Sequence, residues 1–305
     1  MENEIELLVS QIEQKSPLQA KNVQKYVTAM YDIEREKLIR RIRYFLEQGY
    51  NYETITESYL SFCAYFTEER LYFVQNGTYR YSTYEEAAAL YENSEYMKNY
   101  MIGLSLAIYL WGIQREGMRF FREKCQQDMH KGGQYLEVGP GHGEYLITAI
   151  ENMSFDHYTA VDISMTAAQL TQSFIKFALR DKQDMLNKVT VEHKDFFDFT
   201  SEEKFDGIVI SEVLEHVENP KDFLVQVRKL SKKDTFIYLS TAINSPFPDH
   251  LYHFRNKEEV YSLFEETGLQ VVDEVSSTID GISLEKAINK KYDIMVGFIL
   301  SIKDN

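Results

Sequence analysis

The sequence predicts a doubly wound α/β domain with a mostly parallel seven-stranded sheet, preceded by an all-α segment. Three observations carry this. From residue 134 onward, short apolar runs alternate with helical stretches, the pattern of parallel strands buried on both faces. Before residue 112 glycine is sparse, no period-two alternation is sustained, and 15 of the 22 tyrosines fall within residues 1–115. Between the two patterns, Gly139, Gly141 and Gly143 close the first strand and open a helix, a turn that lets backbone approach a ligand. The expected division is a helical cap over residues 1–128 and an α/β domain over 129–305.

The elements follow in order. Ser16 stands before Pro17 as a cap before an N1 proline. A long helix is expected over 23–47, stopping at Gly49, and a second over 54–74, stopping at Gly77. Residues 78–81 read as a short extended piece. Ser82 and Thr83 cap a helix from Tyr84, with Glu85 and Glu86 well placed in its first turn. Further helices are expected over 96–111 and 114–127. Strands are expected at 134–138, 157–161, 189–192, 207–210, 235–240, 269–275 and 294–302. Helices between them fall at 144–152, 165–179, 220–230 and 257–267. Only a weak helix at 283–290 separates the last two strands, which suits a final antiparallel strand.

Composition narrows the function. At 305 residues, with 44% hydrophobic and 27% charged side chains, the chain has enough apolar content for a folded core. Lys and Arg total 33 against 48 Asp and Glu, a net charge of -15. Such a chain repels phosphate backbones and anionic lipid, so neither nucleic acid nor membrane is expected as a partner. The basic cluster Arg40-Arg41-Ile42-Arg43 reads as a solvated helix face. Cys63 and Cys125 are too few for a disulfide framework and suit small core positions in a reducing compartment. The apolar run 101–111 is shorter than the roughly 20 residues a spanning helix needs. Met1-Glu2-Asn3-Glu4 lacks the basic region of a signal peptide. A cytoplasmic protein is expected.

The glycine stretch reads Glu137-Val138-Gly139-Pro140-Gly141-His142-Gly143. It lacks the glycine spacing of the dinucleotide fingerprint and the lysine of a phosphate-binding P-loop. Asp162 follows Gly139 by 23 positions, at the end of the next strand, placed to accept both hydroxyls of a ribose. Three more pieces follow: Ala160-Val161-Asp162-Ile163-Ser164, then Lys194-Asp195-Phe196-Phe197, then Phe205 to Val217 with Ser211-Glu212-Val213-Leu214-Glu215-His216. In this order and spacing the chain resembles the class I S-adenosylmethionine-dependent methyltransferases over roughly residues 130–305. The first 115 residues carry no such resemblance.

The resemblance implies a Rossmann-like methyltransferase fold and S-adenosylmethionine as cofactor. It implies that Gly139, Pro140, Gly141 and Gly143 run under the methionine part, with Glu137 orienting the loop and the amino group. Asp162 would take the ribose hydroxyls and Ile163 would pack on the adenine. Asp195 would accept from the adenine amine with the Phe196 amide beside it, and Ser211 and Glu212 would approach the methyl end. His142 fills a variable position and reads as a neighbour of the cofactor.

Glu212, Glu215 and His216 form an E-x-x-E-H array. On a helical turn those positions share one face, and two carboxylates with an imidazole suit a divalent cation such as magnesium, manganese, iron or zinc. His250, in Pro248-Asp249-His250-Leu251-Tyr252-His253 after the fifth strand, is the preferred further ligand over His253. The arrangement resembles plant small-RNA 2′-O-methyltransferases, and its first part ubiquinone-type O-methyltransferases; the acidic charge departs from the former. Metal-free readings stand beside it: His216, or Glu215, as a base that deprotonates the acceptor, or a packing role only.

The tyrosine-rich helices read as a cap over the cleft, with Tyr79, Tyr81, Tyr96, Met97, Tyr100 and Trp111 as candidates for its lining. The same aromatics suit internal packing or a homodimer interface. The leading functional expectation is methylation of a small-molecule acceptor, at oxygen, in specialised biosynthesis. The alternatives are a peptide, protein or nitrogen acceptor, or a non-catalytic cofactor-binding partner. On this reading the α/β part should stay folded without residues 1–115.

Overall fold

The computed structural model describes residues 3–303. The helical part comprises α1 (Asn3–Lys15), α2 (Pro17–Thr28), α3 (Asp32–Glu47), α4 (Tyr52–Asn76), α5 (Tyr84–Glu92), α6 (Ser94–Leu110) and α7 (Gly112–Gln127). The alternating part follows as β1 (Gln134–Val138), α8 (Glu144–Asn152), β2 (His157–Asp162), α9 (Met165–Ala178), α10 (Gln183–Leu186) and β3 (Val189–His193). It continues with β4 (Phe205–Ser211), α11 (Pro220–Leu230), β5 (Ser231–Ile243), α12 (Lys257–Thr267), β6 (Leu269–Thr278), α13 (Leu284–Lys290) and β7 (Ile294–Ile302).

The seven strands form one sheet in the order β3-β2-β1-β4-β5-β7-β6. The pairs among β1 to β5 are parallel, and β7 inserts antiparallel to both β5 and β6. The predicted fold class therefore stands, including the late antiparallel strand. No helix among the described residues is long and apolar enough to cross a membrane.

Two expectations about the helical part fail. The single helix expected over 23–47 is broken into α2 and α3 at residues 29–31. A helix end leaves carbonyls without intrahelical donors. Here arginines supply them: Arg115 reaches the Tyr26 carbonyl at 2.6 Å, Arg35 that of Val27 at 2.6 Å, and Arg119 that of Ala29 at 3.2 Å. On the far side the Glu34 carboxylate accepts from the Tyr31 amide at 2.9 Å and starts α3. Residues 78–81 form bends rather than a strand.

The basic cluster on α3 is the other correction. Arg41 is fully buried instead of solvated. Its guanidinium donates from Nε and Nη2 to Glu144 Oε1 at 3.1 and 2.8 Å, and from Nη2 to the His142 carbonyl at 2.6 Å. Its Cζ lies 3.3 Å from the centre of the Phe174 ring. Burial would raise the Glu144 pKa, but the charges of Arg41, Arg40 and Lys37 bring it down to about 2.

One hydrophobic core runs through both parts, joining Ile42 and Phe45 of α3 and Leu106 of α6 to Tyr135, Leu146 and Phe174 around the sheet. Helix α7 lies within residues 1–128 yet packs on α8, β6 and β7. Removing residues 1–115 would expose that shared core and leave Glu144 buried without its partner. A partnerless buried charge alone costs about 3–5 kcal/mol. That truncated chain should therefore lack near-ultraviolet circular dichroism and show no cooperative unfolding in urea. A sharp transition from it would give the sheet a core of its own.

Candidate active site

The glycine loop joins β1 to α8. Gly139 holds φ +66°, and a Cβ there would lie 2.6 Å from Val213 Cγ2, so both backbone and space require glycine. Three elements grip the loop. Thr171 of α9 donates to the Gly141 carbonyl at 2.7 Å, the Asp162 carboxylate of β2 accepts from the Gly141 amide at 3.2 Å, and Arg41 of α3 holds the His142 carbonyl. His142 Nδ1 accepts from the Glu144 amide at 3.0 Å. Burial and the Arg41 charge push its pKa down to about 3, so the ring is neutral near pH 7.

A cavity opens above the loop at the carboxyl ends of the strands, where doubly wound sheets place ligands. Gly139, Pro140, Gly141, Asp162, Ile163 and Ser211 line it together. Asp162 also accepts from the Ser164 amide at 2.8 Å, and burial pushes its pKa up to about 6. Gly143 starts α8 below this surface with φ +77°.

Four expected cofactor residues lie outside the lining: Gly143, Glu137, Asp195 and Phe196. Glu137 is 1% exposed. Its carboxyl accepts from the Tyr135 hydroxyl at 2.7 Å and from the Leu146 amide in the first turn of α8, and burial pushes its pKa up to about 8. It ties strand to helix beneath the loop. Asp195 caps the turn Phe196–Asp198 by accepting from the Phe197 amide at 2.8 Å. The Phe196 ring is buried against Phe223 at 4.7 Å between centroids.

The E-x-x-E-H array is not a helical turn. Glu212 takes left-handed backbone, φ +53°, and a 3₁₀ turn follows over Leu214–His216. Glu212 is thereby separated from the others; its amide donates to the Ser240 carbonyl at 3.1 Å and its Oε2 accepts from Gln114 at 3.4 Å. Glu215, His216 and His250 converge instead, each with a ligand atom within 4.8 Å of the others. His253 stands apart, bonded to Asn244 Oδ1 at 2.9 Å and packed on Tyr79.

The converging groups are all lone-pair bearers. Glu215 is fully buried; Oε2 accepts from the Thr241 hydroxyl at 2.8 Å and Oε1 has no partner. Burial, followed by the Glu212 charge, raises its pKa well above the usual carboxylate range. His216 Nδ1 faces the Asp249 carbonyl at 3.0 Å and His250 Nδ1 faces the Ser245 carbonyl at 2.6 Å. A carbonyl only accepts, so Nδ1 carries the hydrogen and Nε2 keeps its lone pair in each neutral ring. Burial holds the His250 pKa well below the ordinary value. All three residues line the same cavity as the glycine loop.

A family model described as a methyltransferase domain matches residues 110–274, more than half of the sequence. The chain belongs to the class I S-adenosylmethionine-dependent methyltransferases. This methyltransferase is 24% identical over 156 residues to the mitochondrial ubiquinone biosynthesis O-methyltransferase of Dictyostelium discoideum, covering 48% of the present chain and 47% of that relative. It thus spans about half the length of the curated relative it matches. Among solved structures, the N-methyltransferase NodS of Bradyrhizobium japonicum WM9 in complex with S-adenosylhomocysteine has a TM-score of 0.48 at 16% identity, over 72% of this chain and 98% of that one. A methyltransferase of Geobacter sulfurreducens, also with S-adenosylhomocysteine, has a TM-score of 0.46 at 14% identity, over 63% and 92%.

Around the methyltransferase cleft, helices α5 to α7 supply a roof. Met97, Tyr100 and Trp111 line the cavity, as do Tyr91 and Phe247, which the sequence did not single out. Tyr96 sits behind, against Tyr65 and Tyr100, and Tyr79 packs on His253. Tyr81 lies outside the lining. Gln114 and Asp249 were also missed as individual site residues; Asp249 was visible only as a member of its loop motif. Arg41 gave the wrong signal altogether, because a buried arginine and a solvated one look alike in a basic run.

The Asp162 environment generates a pH test. The expected ribose contact is to the carboxylate form, so on that expectation the group should lose its proton to bind. With the pKa near 6, affinity for S-adenosylhomocysteine should be level above that pH and fall about tenfold per pH unit below it. Asp162→Ala should abolish this slope and weaken binding by about 1.5–3 kcal/mol at pH 7.5. Calorimetric titration at pH 5.0 and 7.5 measures both. A flat wild-type profile together with unchanged affinity in the variant would remove Asp162 from the site.

Proposed function

We propose that this protein transfers the methyl group of S-adenosylmethionine to a hydroxyl oxygen of a small molecule held beside Glu215, His216 and His250. One observation carries the reading: three side chains able to take a proton or hold a cation converge within 4.8 Å in the cavity that contains the glycine loop. The curated relative's name is that of an O-methyltransferase, and the oxygen acceptor is carried to this chain as part of the proposal.

The chemistry asks little beyond alignment and deprotonation. The acceptor oxygen attacks the sulfonium methyl in line; a C–O bond forms, the S–CH₃ bond breaks, and its electron pair stays on sulfur as S-adenosylhomocysteine leaves. The hydroxyl proton passes to a basic group at the cluster. A sulfonium donor needs no acid assistance to leave, so the acidic surroundings serve the acceptor. The glycine loop and Asp162 hold the donor, and the roof of Tyr91, Tyr100 and Trp111 excludes water from it.

The donor set favours a divalent cation at the cluster. A carboxylate oxygen and a ring nitrogen of each imidazole lie within 4.8 Å of one another, and Glu215 Oε1 has no hydrogen-bond partner. Such a grouping repels itself unless a cation or a shared proton occupies it. Glu215, His216 and His250 would hold magnesium, manganese, iron or zinc, and the carbonyls on the two Nδ1 atoms would fix the rings as ligands. A cation there would polarise the acceptor oxygen and lower its pKa.

Chelation followed by dialysis should lower methyl transfer to a responsive phenolic acceptor at least tenfold, and added metal should restore it. Affinity for S-adenosylhomocysteine should stay within threefold throughout. Glu215→Gln and His250→Asn should each abolish tight metal uptake measured by elemental analysis. Full activity in excess chelator, with no metal in the protein, would leave His216 as a metal-free base.

A further inference from the structure

A second cavity lies on the other side of Glu212. It shares Phe66, Trp111, Gln114, Glu212 and Ser245 with the cofactor cavity, so the two meet at that wall. Its remaining walls come from α2, α4, the start of α7, and the ends of β5 and β7. Helices α2 and α4 precede the family match at residues 110–274, so this chamber is largely the work of the helical part.

Its chemistry is lopsided. Tyr26, Tyr59, Phe66 and Trp111 give it aromatic walls, while Glu212, Asp280 and Asp293 line it and, among the described residues, no lysine or arginine does. Asp280 is already engaged, by Lys25 at 2.7 Å and the Tyr26 hydroxyl at 3.1 Å. Asp293 Oδ2 accepts from Arg70 Nη2 at 2.5 Å, but its Oδ1 is buried without a partner, and the residue is only 6% exposed. Glu212 Oε1 is likewise buried and unpartnered. Two unmet acceptors in one aromatic-walled space call for a ligand that brings donors.

We propose that this chamber receives the methyl acceptor and selects an aromatic molecule, neutral or cationic, that carries hydrogen-bond donors at both ends. One donor end meets Glu212 at the wall shared with the cofactor cavity and presents its hydroxyl toward Glu215, His216 and His250, which line that cavity. The other meets Asp293 at depth. An acceptor carrying a carboxylate or phosphate is refused, because it would bring a negative charge and no donor to the unpartnered oxygens of Glu212 and Asp293, where among the described residues no basic side chain lines the space. The proposal rests on the methyl-transfer reading and adds the acceptor class and its specificity-determining residue.

The test uses the full chain saturated with S-adenosylhomocysteine and three catechols with one shared ring: dopamine (cationic), 4-methylcatechol (neutral) and 3,4-dihydroxybenzoate (anionic). Calorimetry should rank dopamine tightest and place the benzoate at least tenfold weaker. Asp293→Asn removes the charge while Arg70 stays held by the Asn244 and Lys291 carbonyls at 2.8 Å each. It should narrow the ratio to threefold or less. Should that variant not fold, Ile279→Arg tests the same point from the rim, where Ile279 is 37% exposed; it should shift the ratio toward the benzoate. Equal affinities for the three probes, no binding of any, or an unchanged ratio in a folded variant would overturn the proposal. Selective binding without methyl transfer in the presence of S-adenosylmethionine would uphold the chamber and count against oxygen methylation.

Discussion

The buried pair of Arg41 and Glu144 is the contact on which both halves of the molecule rest. An arginine at zero exposure is tolerated only when its charge is matched and its donors are used. Arg41 matches its charge with Glu144 and uses Nε and Nη2 on Glu144 and the His142 carbonyl, with the face of Phe174 against the guanidinium, while its Nη1 stays without a hydrogen-bond partner. Glu144 stands at the first turn of α8, where a negative charge also suits the helix dipole. One guanidinium from α3 thus fixes the start of α8 and the last carbonyl of the glycine loop together. The cofactor loop owes its shape to a helix about a hundred residues earlier in the chain.

The carboxyl edge of β4 and β5 shows the opposite economy of charge. Glu212, Glu215, Asp249 and Asp293 each retain a buried carboxylate oxygen without a donor. Glu212 and Asn244, just past the ends of these adjacent strands, both hold left-handed backbone, with φ of +53° and +50°. Backbone of this kind in a non-glycine residue costs free energy and persists where surrounding contacts enforce it. Here the Ser240 carbonyl pins the Glu212 amide and the Phe254 carbonyl pins the Asn244 amide at 2.9 Å. The fold therefore holds a strained, acceptor-rich rim beside the donor site, suited to a cation or to a ligand that brings hydrogens.

Much of the sheet was legible because its signal is local. Strands β1 and β7 and helices α8, α11 and α12 fall at their expected limits; all but β7 are bounded by glycine, proline or a cap, and β7 is marked by its continuous apolar run. Strand β5 runs longer than its apolar stretch because Ser231 pairs with Phe205 before the continuous ladder begins. The break between α2 and α3 was not legible: its carbonyls are taken by Arg115 and Arg119, remote in sequence. In the candidate site, residue type and spacing singled out Glu215, His216 and His250 as chemical groups. The assumption of a helix added Glu212, and only its backbone angle removes it. Glu137 shows the same limit, because a carboxylate under a loop and one facing a ligand have the same sequence signature.

Trp111 is the single tryptophan of the chain. It stands between α6 and α7, bonded through Nε1 to the Tyr59 hydroxyl at 3.2 Å and flanked by Phe62 and Phe66. It is also part of the wall between the two cavities. The molecule consequently carries one indole chromophore, unlabelled and unique, at the place where donor and acceptor would meet. Its emission is an intrinsic gauge of occupancy on either side, so the order in which ligands enter can be followed optically without altering a residue.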